Sequence, residues 1–139
     1  MKNRKDFQRL AALRVRDAKV LLDSGRFEGA YYLLGYAIEC ALKACIAKQT
    51  KRYTFPEKDF AQKVWTHNLN ELLKLAGLEA ERAREGKANP AFETNWAIVK
   101  DWTEKARYEH TVKSSKARDF YSAVVNRKSG VLTWLKRQW

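Results

Sequence analysis

At 139 residues, 45% of them hydrophobic, the chain is long enough to bury one core without metals or disulfides, and its five Trp, six Tyr and six Phe exclude a disordered chain. A formal charge of +12, from 28 Lys and Arg against 16 Asp and Glu, favours anionic over cationic partners. The excess lies at the two ends: residues 1–26 carry +5, residues 113–139 carry +6, and everything between carries +1.

The opening MKNRKDFQRL is charged and leads into no continuous apolar run, so no export signal is expected and the setting is expected to be cytoplasmic. From about Asp6 to Asp23, Phe7, Leu10, Ala11, Ala18, Leu21 and Leu22 recur at three- and four-residue steps, with Arg9 and Arg16 on the other side. This spacing predicts an amphipathic helix closed by Ser24-Gly25.

A second helix is expected from about Glu28 to Lys48. Its apolar run AYYLLGYAIECALKACIA approaches membrane-spanning length, but Glu39 and Lys43 near its middle would each be costly in lipid. It is therefore read as the central core helix, with no membrane partner. Glu39 and Lys43 stand four apart with the acid first, the favourable order for an intrahelical pair, and should face a cleft or a subunit boundary. Tyr32, Tyr36, Glu39 and Lys43 share one stripe, a polar seam in a helix interface or a ligand site. Cys40 and Cys45 project in different directions from the same helix and cannot pair with each other.

Residues 50–66 read as an irregular basic and aromatic connection in which Pro56 starts a short helix. A third helix should run from about Asn68 through Ala76, with Gly77 as its cap, Leu78 packing back and His67 at its entrance. A histidine there is expected to hydrogen-bond locally or cap the turn. Two histidines and two mis-spaced cysteines supply no known ligand set, so neither a metal nor a cofactor is expected. LEAERAREGKAN predicts a surface helix broken by Asn89-Pro90. Phe92, Trp96, Val99 and Trp102 mark another helix ending near Ala106. After a polar RYEH turn, Ser114 and Ser115 offer an N-cap for a last helix to about Lys136, weakened in the middle by Gly130.

No segment alternates with the period of two that a half-buried strand needs. The expectation is one all-α domain over residues 1–139, an up-and-down bundle of four to five main helices. If its first and last helices lie side by side, they form one basic face suited to nucleic acid or nucleotide.

The run DAKVLLDSGRFEGAYYLLGYAIECALKACI, then WTHNLNELLKLAG, then WTEKARYE, resembles the HEPN family of prokaryotic helical-bundle domains over roughly residues 7–136. The pattern is a Tyr-rich helix containing Glu and Leu-Lys-Ala, then His-x-Leu-x-x-Leu-Leu, then Arg-Tyr before the last helix. The resemblance implies a homodimer with positive surface near the dimer cleft. It also implies a small nucleotidyltransferase as partner, in a toxin–antitoxin or defence pair.

The family's catalytic branch consists of metal-independent ribonucleases whose site is Arg, four to six residues, then His. Here Arg107 and His110 have only two residues between them, and the residue at the matching distance from His110 is Lys105. Lysine supplies charge to a phosphate but lacks the planar two-pronged donor of arginine. Cleavage through the 2′-hydroxyl would need His110 as acid or base, with Lys105 or Arg107 holding phosphate. Lys43, Arg107, Tyr108, Lys113 and Lys116 are the candidates for binding nucleic acid or nucleotide. The bland alternative makes RYEH a connection in which Tyr108 packs, Arg107 pairs with Glu39 or Glu104, and His110 is exposed.

Overall fold

The first helix starts where Asn3 and Asp6 satisfy one another. The Asn3 side chain accepts from the Asp6 N–H at 2.9 Å, and the Asp6 carboxylate accepts from the Asn3 N–H at 3.0 Å. The computed structural model describes residues 3–50 and 65–139, and the expected helix start at Pro56 lies outside them.

Helix α1, Arg4–Asp23, lays Ala11, Ala18 and Leu22 into the core and leaves Arg9 and Arg16 exposed, as its periodicity predicts. It ends at Gly25, whose φ of +76° is open to glycine at no steric cost. There the N–H groups of Gly25 and Arg26 return to the carbonyls of Leu22 and Leu21. The chain reverses into α2, Phe27–Thr50, which is buried around most of its circumference and packs against α1 and against the last two helices of the chain. It is also the one helix among the described residues long and apolar enough to cross a membrane, and the bundle buries most of it. Both cysteine side chains are buried in it, and burial pushes the Cys45 thiol up to about 12 against the opposing pull of Lys48 and Arg4.

Helix α3, Leu69–Leu75, is capped by the Asn68 side chain and closed at Gly77, where φ is +69° and Leu78 packs back. Helix α4, Glu79–Ala88, lies on the surface and gives way at Asn89 to α5, Pro90–Val99. The Asn89 side chain caps α5, and Pro90 takes the first-turn position that needs no N–H donor.

Two expected boundaries move. The helix expected to reach Ala106 stops at Val99, because the chain turns to place the Trp102 ring flat on Gly35 of α2; a β-carbon at that glycine would lie 2.0 Å from the ring. A short 3-10 turn, Glu104–Tyr108, follows, so Arg107 and Tyr108 close a helical turn and are not part of an open loop.

The single last helix is two: α6, Ser114–Val125, and α7, Val131–Gln138. The Asn126 side chain accepts from the N–H groups of Lys128 and Ser129, diverting the backbone from the helix. Gly130 then passes so close to the Asn126 and Val124 backbone that no β-carbon would fit. Lys113, and not Ser114 or Ser115, occupies the N-cap position of α6, with no side-chain cap.

The seven α-helices among the described residues include no strand partner, and the fold is all-α. The chain ends do meet: Arg4 and Gln8 of α1 donate to the Trp139 carbonyl, at 2.7 Å and 3.1 Å. Arg16 and Lys136 line one shallow groove between α1, α6 and α7.

Candidate nucleic-acid interface

The 3-10 turn buries only Ala106 and presents Lys105, Arg107 and Tyr108 to solvent. The Arg107 guanidinium lies over the Tyr108 ring, 4.8 Å from its centroid. Hydrogen bonding to Tyr108 first, and the nearby Tyr32 after it, hold that guanidinium above its ordinary range. Arg107 therefore pairs with neither Glu39 nor Glu104, and Tyr108, expected to pack, is 71% exposed. A flat ring with a cation stacked on it is the kind of surface on which a nucleobase settles.

Glu109, His110 and Thr111 continue as exposed chain, and Val112 dips into the core. Among the described residues no side chain orients the His110 ring. Lys113 and Lys116 open α6 on the exposed side, and the Lys116 ammonium lies 4.7 Å from the centroid of the Tyr31 ring. Burial raises the Tyr31 hydroxyl, helped by the negative charges of Glu109 and Asp101. Thus Lys105, Arg107, Tyr108, Lys113 and Lys116 form one exposed run over twelve residues of chain, interrupted by a single acid, Glu109.

Lys43 stands elsewhere. On α2 its ammonium donates to Glu39 Oε2 at 3.1 Å, forming the intrahelical pair that the sequence predicts. The Glu39 side chain is 2% exposed, a costly place for a carboxylate unless both oxygens are engaged. The second oxygen, Oε1, meets His67 Nδ1 at 2.9 Å. His67 therefore does not cap the turn before α3, a task that Asn68 performs; it reaches across 28 residues of sequence to the central helix.

The chain signals only that Glu39 needs a second donor, because a glutamate this deep in a core helix requires more than one cation or donor; it does not say which residue supplies it. Above the cluster on the same stripe, Tyr32 and Tyr36 stack with centroids 6.3 Å apart, and Tyr32 also tilts against Trp102 at 6.1 Å. Burial first, then Cys40 and Glu39, push the Tyr36 hydroxyl up to about 12. The stripe thus links the Arg107 end of the surface to the His67 end.

A HEPN domain model matches residues 5–138, nearly the whole chain. The chain belongs to the HEPN family. No curated protein and no solved structure matched it. The all-α fold is that of a HEPN domain, and the Tyr-rich stripe, the Leu-Lys-Ala segment, the histidine before α3 and the Arg-Tyr pair all fall inside the matched region.

Proposed function

We propose that this HEPN protein is a binding or partner subunit. It acts as a homodimer whose cationic surface around the 3-10 turn and the start of α6 holds nucleic acid or nucleotide. The observation that carries the reading is the exposed run of Lys105, Arg107, Lys113 and Lys116 beside the stacked Tyr108 ring. It combines backbone-neutralising charge with a stacking platform.

A histidine that no side chain among the described residues orients is a poor general acid or base, since proton transfer depends on fixed geometry before pKa. His110 is in that position, and the matching Lys105 lacks the fork of an arginine. The dimer reading is supported by Trp65, a large indole that is 80% exposed and that a partner copy could cover. A small nucleotidyltransferase as second partner, in a toxin–antitoxin or defence pair, completes the reading.

The test is incubation of the purified protein with labelled RNA in EDTA, alongside His110→Ala. Salt-sensitive retention without cleavage is expected, the apparent affinity falling steeply as salt rises. Cleavage that disappears in His110→Ala would make the protein a ribonuclease and overturn the reading. Light scattering at micromolar concentration is expected to give a dimer.

A further inference from the structure

The cluster of Glu39, Lys43 and His67 has no part in the function proposed above, yet it is layered in an informative way. The carboxylate is 2% exposed, the Lys43 side chain 13% and the His67 side chain 46%. Lys43, the residue that sequence alone nominates as an anion ligand, is therefore behind, committed to Glu39 Oε2. The imidazole is in front. Its Nδ1 is engaged by the carboxylate, which fixes the ring and leaves Nε2 for whatever lies outside.

The local charge changes with one proton. With neutral His67, the negative Glu39 and positive Lys43 cancel; with protonated His67, the cluster carries one net positive charge, located on the exposed ring. Among the described residues, no other cation pairs with Glu39 or His67. On α2, Tyr36 is neutral, its hydroxyl pushed up to about 12. On α3, the Glu71 carboxylate accepts from Thr66 Oγ1 at 2.8 Å. From the end of α5, Lys100 presents its backbone carbonyl to Asn70, with Asp101 next in sequence.

His67 is also correctly placed along the stripe. A helix rises about 1.5 Å per residue, so Glu39 lies about 10 Å along α2 from Tyr32, the residue that Arg107 engages. About three nucleotides of a strand cover that distance.

We propose that His67 is a proton-coupled phosphate contact: once protonated, and held from behind by Glu39, it donates from Nε2 to a phosphate oxygen of the ligand bound at the cationic run. Ligand binding then takes up a proton at His67 and tightens as pH falls. The inference rests on the binding function proposed above, and it replaces Lys43 with His67 as the phosphate ligand of this stripe.

The experiment measures affinity for a labelled single-stranded oligo(A) of about 12 nucleotides, and separately for ATP, at about pH 5.5 and about pH 8. Wild type and His110→Gln should both bind more tightly at the lower pH, by up to about tenfold for one charge-assisted contact. His67→Gln should lose that ratio. Coupling with ATP as well as with the oligonucleotide identifies a free nucleotide as a sufficient source of the phosphate; coupling with the oligonucleotide alone identifies a strand.

Because the chain has two histidines, His110→Gln leaves His67 as the sole imidazole, and its proton resonance can be titrated without any variant at the cluster itself. Its midpoint should rise when the oligonucleotide is added. Tight binding with an unmoved midpoint, or with an unchanged pH ratio in His67→Gln, overturns the inference and leaves the binding function standing. No binding of either probe at either pH overturns both.

Discussion

Two charged regions of this molecule face opposite demands. In the interior, Glu39 holds Lys43 and His67, and every contact is short and specific because an unpaired charge there costs several kcal/mol. At the surface, Lys105, Arg107, Lys113 and Lys116 are exposed, and water solvates whatever the protein does not. Interior charge is thus bound up with the fold, whereas surface charge is free to serve a ligand. Substitution should separate the two.

The largest effect is expected at the interior. Glu39→Ala strands a largely covered ammonium and releases His67 from α2, and should lower the unfolding free energy by about 3 kcal/mol, read as a drop in the urea midpoint. The double variant Glu39→Leu with Lys43→Met removes both charges and fills the space with apolar groups. It should recover most of that loss, since well-packed hydrophobic residues commonly match or exceed a buried ion pair. Recovery would mean that the pair is kept for something other than stability. Failure to recover would make the cluster purely a fold element and dissolve the contrast between the regions.

A smaller interior effect concerns a group kept neutral rather than paired. The Cys45 thiol is pushed up from 9.0 to about 12 by burial, so the unfolded chain loses this proton at a lower pH than the folded one. Stability from this source is complete below pH 9.0 and falls as pH rises toward about 12. Urea midpoints measured across that alkaline window should decline less steeply in Cys45→Ala than in wild type. Tyr36, also raised to about 12, adds a decline in the upper part of the window that the Cys45 substitution leaves in place.

What the sequence made legible follows the same division. The faces of α1 and α2, the glycine caps at Gly25 and Gly77, and the Glu39 and Lys43 pair follow from local spacing, so they could be read directly. The early stop of α5 could not, because it depends on Trp102 finding a bare position on α2, at Gly35, 67 residues away in sequence. Nor could the break between α6 and α7, where a single asparagine side chain outcompetes a continuous apolar stripe. At the site, the exposed cations were legible from charge alone. The partner of His67 was not, since periodicity describes a helix's own face and not what another segment places against it.

The smallest change in stability, and the clearest in function, is expected at Arg107. Its guanidinium is exposed and rests on Tyr108 and beside Tyr32, so Arg107→Ala should leave the urea midpoint essentially where it is in wild type. The same substitution should weaken retention of a single-stranded oligonucleotide and reduce the slope of log affinity against log salt by about 1, because one phosphate contact is lost. Arg107→Lys distinguishes charge from shape at this position. A lysine restores the salt slope, but without the planar fork it neither stacks on Tyr108 in the same way nor grips two phosphate oxygens, so affinity should recover only in part. Full recovery would reduce the Tyr108 platform to decoration and make the surface a simple field of charge. No effect of either substitution would place the ligand away from the 3-10 turn, on the other basic surface where α1 meets α6 and α7.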